Sequence, residues 1–252
     1  MSILELVKSG SLDLRLASLL WLMMEQRASI LVAAGPSFAG KTTTLNALLD
    51  FLHPDVKEVR LNGWGEDFRF LKDATPSKTY IVAEEFSDYG DYVWGETAQK
   101  AFNLLDDGFS LGGTIHARTA KEVLLVLHQY LGISVPLLGR LGAVVNLSAT
   151  RQRYDPEPIR RIEAVTLTTT VKDGLAIHTI ASRESGSDSC IIADDKTLQV
   201  ALSNKFALSS LSVSKEIEIR RQYLSDLQGK GKVSRDDVRE AIIKFYESRR
   251  VP

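Results

Sequence analysis

At 252 residues, with 44% hydrophobic and 25% charged side chains, the chain can bury an ordinary core and has neither a disordered nor a fibrous composition. Its 31 Lys and Arg against 32 Asp and Glu give a formal net charge of -1, which excludes capture of nucleic acid by bulk positive charge but leaves a local basic patch open. The single cysteine, Cys190, excludes an internal disulfide and a thiolate metal cluster, as suits a cytosolic protein.

Residues 2 to 27 read as helical, with Leu4, Val7, Leu14, Leu16, Leu19, Leu20 and Met23 at near-helical spacing and a break at Ser9-Gly10-Ser11. The apolar run Leu16 to Met24 is far shorter than the ~20 residues a bilayer crossing needs. Glu25-Gln26-Arg27 follow it where a secretory leader would have small residues, so a buried helix is expected. Ser29 to Ala34 has the short apolar pattern of a buried parallel strand, and Lys41 to Leu52 that of a helix. Strands are expected at Val56 to Leu61, Tyr80 to Ala83 and Leu111 to Ile115, with a helix at Glu96 to Asp107 between the last two. A helix at Ala120 to Leu131 and a strand at Ala143 to Ser148 follow. Next comes a hairpin, Ile159 to Thr169 and Leu175 to Ile180, turning at Lys172-Asp173-Gly174. The polar stretch Ser182 to Ser189 reads as a linker, and Ser214 to Gln228 and Ser234 to Arg249 as helices, the second opened by a near capping box from Ser234 to Asp237. Alternating strands and helices imply an α/β protein with a mostly parallel central sheet. The expected division is an N-terminal helical segment (1–28), a P-loop NTPase domain (29–182) and a mainly helical C-terminal appendage (190–252).

The strongest chemical signal is Gly35-Pro36-Ser37-Phe38-Ala39-Gly40-Lys41-Thr42, a phosphate-binding loop between a strand and a helix. Burying a polyphosphate takes many donors with no side chain in the way. The motif supplies backbone N–H groups, a lysine for the outer oxygens, a hydroxyl for magnesium and the dipole of the following helix. Gly35 through Lys41, Thr42 and Thr43 are therefore expected to bind ATP, with Thr42 as a magnesium ligand. The apolar strand Tyr80-Ile81-Val82-Ala83 ends in Glu84-Glu85, carboxylates at the place where such a fold delivers negative charge beside the metal.

Glu96-Thr97 and its helix, followed by Gly112-Gly113-Thr114-Ile115-His116-Ala117-Arg118-Thr119-Ala120, resemble the ATPases of type II and type IV secretion and type IV pilus systems. In that family a Walker B Gly-Glu is followed by a Glu-Thr helix and a Thr-Leu-His box. Arg220 to Leu224 and Asp237 to Tyr246 resemble the tail of archaeal-type members. The resemblance implies a RecA-like fold, ATP and Mg2+ as cofactors, catalytic roles for Lys41 and Glu84 or Glu85, Glu84 as a metal ligand, and His116 as the sensor of the γ-phosphate. It also implies a homo-oligomer, hexameric in the family, working with membrane-associated secretion or pilus components at the inner face of a membrane.

Several positions depart from the pattern. Phe38 and Ala39 replace the usual glycine and serine, Ala83 the glycine before the Walker B glutamate, and Phe109 a second histidine. An insertion containing Tyr89-Gly90-Asp91-Tyr92 precedes Glu96, and fewer than 35 residues precede the loop, where typical members carry a large N-terminal domain. The region 52 to 80 is short, and only Glu66-Asp67 remains in it for the water-activating carboxylate; Glu66 is the candidate, while an ordinary acidic turn is the reading the residues favour. Arg118, Arg140, Arg151 and Arg153 are available as arginines acting across an interface. Trp64, Trp94 and Tyr92 read as core residues before they read as a contact surface. The rival readings are a nucleotide-bound switch with little turnover, a small P-loop kinase and a DNA-associated motor.

Overall fold

The computed structural model describes residues 1–151, 157–172, 174–184, 190–206, 208 and 212–249. Ser2 caps α1 (Ile3–Lys8) with a full capping box to Glu5, and Asp13 caps α2 (Leu14–Glu25). Then follow β1 (Ile30–Ala34), α3 (Lys41–Leu49), β2 (Lys57–Arg60), β3 (Thr79–Phe86), α4 (Gly95–Asn103) and β4 (Ser110–His116). The next segment is α5 (Ala120–Leu125), which widens into a π-helical turn at Val126–Tyr130, then α6 (Val135–Arg140) and β5 (Ala143–Thr150). The hairpin β6 (Ile159–Val171) and β7 (Gly174–Arg183) leads to β8 (Cys190–Ile192), α7 (Asp195–Phe206), α8 (Val213–Gly229) and α9 (Arg235–Ser248). The hairpin residue Asp173 and most of the expected linker, 185–189, lie outside the described residues.

The strands form one sheet in the order β2-β3-β4-β1-β5-β6-β7-β8. The first five run parallel and the last three add on antiparallel at one edge. β1 lies between β4 and β5, so its side chains alternate into cores on both faces. Ile30, Val32 and Ala34 pack with α1, α2, α3, α8 and α9, while Leu31 and Ala33 pack with residues of α4, α5 and α6. This double burial explains the unbroken apolar run of β1.

α2 is covered all round, with Leu16 to Met24 buried without interruption, because it lies between the sheet and the C-terminal helices. The indole of Trp21 stacks on Phe51 with ring centres 5.1 Å apart and donates to the Tyr246 hydroxyl at 2.9 Å, which in turn donates to the Phe51 carbonyl at 2.7 Å. Asp50, the C-cap of α3, takes both arms of the Arg235 guanidinium at 2.8 and 2.9 Å. The helix that starts at the glycine-rich loop is thereby tied at its far end to α9. α6, β8 and α7 are additions to the elements expected from sequence. Trp64 corrects the expectation of core packing, since its side chain is 67% exposed; Trp94 does pack against the second core.

Candidate functional site

β1 ends at Ala34 in the middle of the parallel strands, and the chain then turns through the glycine-rich loop into α3 at Lys41. Backbone geometry explains two of the motif residues. Gly40, the N-cap of α3, has φ 88, which a side chain would strain. At Gly35 a Cβ would lie 2.6 Å from Cγ of Arg118, so a side chain there would displace that arginine. Phe38, standing where glycine is usual, nonetheless holds a left-handed φ of 60.

Three side chains from different elements meet behind the loop. Lys41 is buried, and its Nζ lies 3.0 Å from His116 Nε2 and 3.8 Å from Glu85 Oε2. His116, at the end of β4, places Nε2 3.1 Å from Glu85 Oε1 and Nδ1 3.4 Å from the Gly35 carbonyl. A ring protonated on Nδ1 donates to Gly35 and accepts from Lys41; a ring protonated on Nε2 donates to Glu85 instead. His116 thus stands at a branch where one proton decides which neighbour it holds. Burial pushes the Lys41 ammonium below the ordinary lysine range, and the Glu85 carboxylate opposes that shift.

The sheet decides between the two glutamates. Ala83 pairs with Gly113 and Phe86 with Ile115, so β3 carries one extra residue over Glu84-Glu85, a bulge that re-aims these side chains. Glu85 turns to Lys41 and His116. Glu84 is exposed, lines an adjacent cavity with Asn62, Gly63 and Asp91, and does not line the loop cavity. Thr114 anchors the bulge by donating to the Glu84 carbonyl at 2.7 Å. Gly112 and Gly113 of the His116 segment serve packing: a Cβ would lie 2.8 Å from Tyr80 and 2.6 Å from Phe86, respectively.

Glu66 is not brought to this cluster. One carboxylate oxygen accepts from the Asn62 backbone at 2.8 Å and the other from Phe68 N–H at 2.7 Å, so both are spent closing their own turn. That turn packs on the insertion, with Trp64 donating to Asp91 at 3.0 Å and Thr97 donating to the Trp64 carbonyl at 3.0 Å. Among the arginines, Arg118 lies over Gly35 of its own chain, and Arg140 pairs with Asp106 at the opposite end of the sheet. Arg151 is exposed, and Arg153 lies outside the described residues. Sequence reasoning missed Arg160, whose Nε–H donates to the Phe38 carbonyl at 3.0 Å. No local motif marks it, because β6 reaches the loop only through sheet pairing.

The loop opens into a cavity of about 820 Å³ lined by Ser37 to Thr44, Glu85, Tyr89, Tyr92, His116 and Arg160, a size suited to a small-molecule ligand. The Thr42 side chain is exposed and on this wall, and Thr43 lies beside it. A larger cavity of about 1360 Å³ opens at the other end of the sheet near Ser29, Ser110 and Lys205, away from the glycine-rich loop. Among the described residues no group of three or more His, Cys, Asp or Glu could cage a metal. No helix among the described residues is long and apolar enough to cross a membrane.

Fold and site together define a mixed α/β protein with a glycine-rich, lysine-bearing loop where its central strand meets a helix. No family model matches the chain. It is similar to two uncharacterized proteins of Methanocaldococcus jannaschii. One is 25% identical over 253 residues, covering 88% of this chain and 90% of that protein. The other is 26% identical over 281 residues, covering 98% of this chain but 49% of that protein, so the chain spans about half of its length. Among solved structures, the VirB11 ATPase of the Brucella suis type IV secretion system, in complex with sulphate, is 17% identical with a TM-score of 0.41, over 82% of this chain and 57% of that one.

Proposed function

We propose that the chain is a magnesium-dependent ATPase with a RecA-like P-loop core spanning about residues 29–182, a motor of the secretion and pilus type that couples hydrolysis to movement of a partner assembly. The observation that carries this reading is the meeting of Lys41, Glu85 and His116 behind the glycine-rich loop, at 3.0 to 3.8 Å from one another. Phosphoryl transfer asks a protein mainly for positioning and charge stabilisation. Gly35 and the residues Ser37 to Thr43 offer backbone donors to the phosphates, and Lys41 neutralises the outer oxygens. Thr42 offers its hydroxyl to magnesium, and Glu85 orients the attacking water or the metal's own water. Bound magnesium would add charge neutralisation of the phosphate oxygens.

An incoming phosphate competes with Glu85 and His116 for the Lys41 ammonium. His116 then has Glu85 and the Gly35 carbonyl left to choose between, which makes it a relay from the phosphate site to the end of β4. The motor role, a ring-forming homo-oligomer and membrane-associated secretion or pilus partners come from the sequence resemblance alone. A nucleotide-bound switch with little turnover is the second reading, favoured by Glu66, whose carboxylate is already committed to its turn.

Steady-state phosphate release with ATP and magnesium, beside an ATP-binding titration, separates these readings. The ATPase predicts turnover that Lys41→Ala abolishes. Tight binding without turnover leaves the switch, and no binding by the unmodified protein overturns both.

A further inference from the structure

Arg160 reaches the phosphate loop from 122 positions away in sequence. It is the second residue of β6 and pairs with Ala149 of β5, so the antiparallel extension of the sheet holds its backbone beside the loop. Its Nε–H donates to the Phe38 carbonyl, and its Cδ lies 3.2 Å from where a Cβ on Gly40 would stand. The side chain therefore spans the loop from its tip to the start of α3. Its Nη1 has an exposed, loose partner in Glu157 at 3.7 Å.

The residue that Arg160 holds is the one non-glycine residue of the loop with a left-handed backbone. Phe38 has a φ of 60, and its side chain is 83% exposed, so ring packing offsets little of the cost of a left-handed non-glycine residue. A planar peptide fixes its carbonyl and the following N–H in opposite directions. Anchoring the Phe38 carbonyl on Arg160 therefore also sets the direction of the Ala39 N–H, one of the donors in the phosphate-binding turn.

We propose that Arg160 is a positioning residue acting in cis: it offsets the strain at Phe38 and holds the phosphate loop in its ligand-receiving shape, so that the loop is preformed instead of folding around the phosphates. The inference rests on the ATP-binding reading above and assigns the loop's stiffness to a particular contact. Glycine at position 38 would adopt the same backbone without help, so the need for Arg160 is tied to the phenylalanine.

The test combines hydrogen exchange on the nucleotide-free protein with titrations of ATP and magnesium into four proteins: unmodified, Arg160→Ala, Phe38→Gly and the double variant. In Arg160→Ala the amides of residues 37–40 are expected to exchange about tenfold faster while β1 and β5 stay unchanged, which separates a loosened loop from a damaged fold. ATP affinity is expected to fall about tenfold in Arg160→Ala, and less than about threefold when the same change is made in the Phe38→Gly background. Unchanged loop exchange or unchanged affinity in Arg160→Ala overturns the proposal, as does an equal loss in both backgrounds. If the unmodified protein binds no ATP, the functional reading fails separately, and the exchange measurement alone decides whether Arg160 holds the loop.

Discussion

Lys41 holds a charge where the fold would be more stable without one. Burial lowers the pKa of its ammonium, so protonating it costs folding free energy. The sign follows from the direction of the shift. The cost is fully present below the folded pKa and is relieved as pH rises from there toward the ordinary lysine value. Lys41→Met is therefore expected to lose ATP binding while its thermal midpoint at pH 7 stays level or rises. The unmodified protein should gain on the variant as the pH is raised toward 10; a lower midpoint for the variant at pH 7 would show that Lys41 stabilises the empty protein instead. The two glutamates give a second contrast at the same scale. Glu85→Gln should lower the turnover rate by about a hundredfold or more, within the range for a positioned acid–base or charge-stabilising group. Glu84→Gln, on an exposed side chain outside the loop cavity, should stay within about threefold. Equal losses would remove the distinction. The sequence places both at the end of one strand and cannot choose between them, because the choice is made by a one-residue bulge against β4. The loop itself was legible because all of its chemistry lies in consecutive residues.

The elements that sequence patterns captured are those whose own residues fix their limits: the unbroken apolar run of β1, the Ser234 cap of α9 and the glycine-marked entry to α3. Those it missed are short or are made by their neighbours. α6 carries Pro136 and Gly139 in six residues, and β8 is three residues that exist as a strand only by pairing with β7. For Glu66 the sequence offers a water-activating carboxylate or an ordinary acidic turn, and its carboxylate is bound to the backbone of its own turn, as turn-closing carboxylates are. Between elements, the tie of α3 to α9 through Asp50 and Arg235 joins residues 185 positions apart. The Asp50 side chain is 3% exposed, so Arg235→Ala leaves a buried carboxylate without its partner and should cost about 3 kcal/mol in denaturant unfolding. Adding Asp50→Ala should recover a good part of that loss, because the orphaned charge is gone. Additive losses would show that the two residues do not act as a pair.

On the scale of the whole molecule, the N-terminal and C-terminal helices meet as one layer over the sheet, a relation that no stretch of sequence displays. Trp21 of α2 touches Phe51 after α3 and Phe245 and Tyr246 of α9, and the buried Arg220 of α8 binds both Glu25 and Glu216. These contacts belong to the same core as Ile30, Val32 and Val145 of the sheet. If the layer is energetically part of that core, residues 213–249 cannot melt before the loop-bearing strands do. The chain has three tryptophans, and only Trp21 is fully buried, so a Trp64→Phe, Trp94→Phe protein makes Trp21 the sole indole reporter of the junction. Its fluorescence and the far-ultraviolet circular dichroism should then change together along a urea gradient, with one midpoint. An earlier fluorescence transition would mean that the C-terminal helices form a separable unit docked on the sheet, and that the Asp50–Arg235 and Trp21–Tyr246 contacts are ties between two stabilities rather than parts of one. A single midpoint would mean that α8 and α9 belong to one cooperative unit with the strands that carry the glycine-rich loop, with the Asp50–Arg235 tie of α3 to α9 inside it.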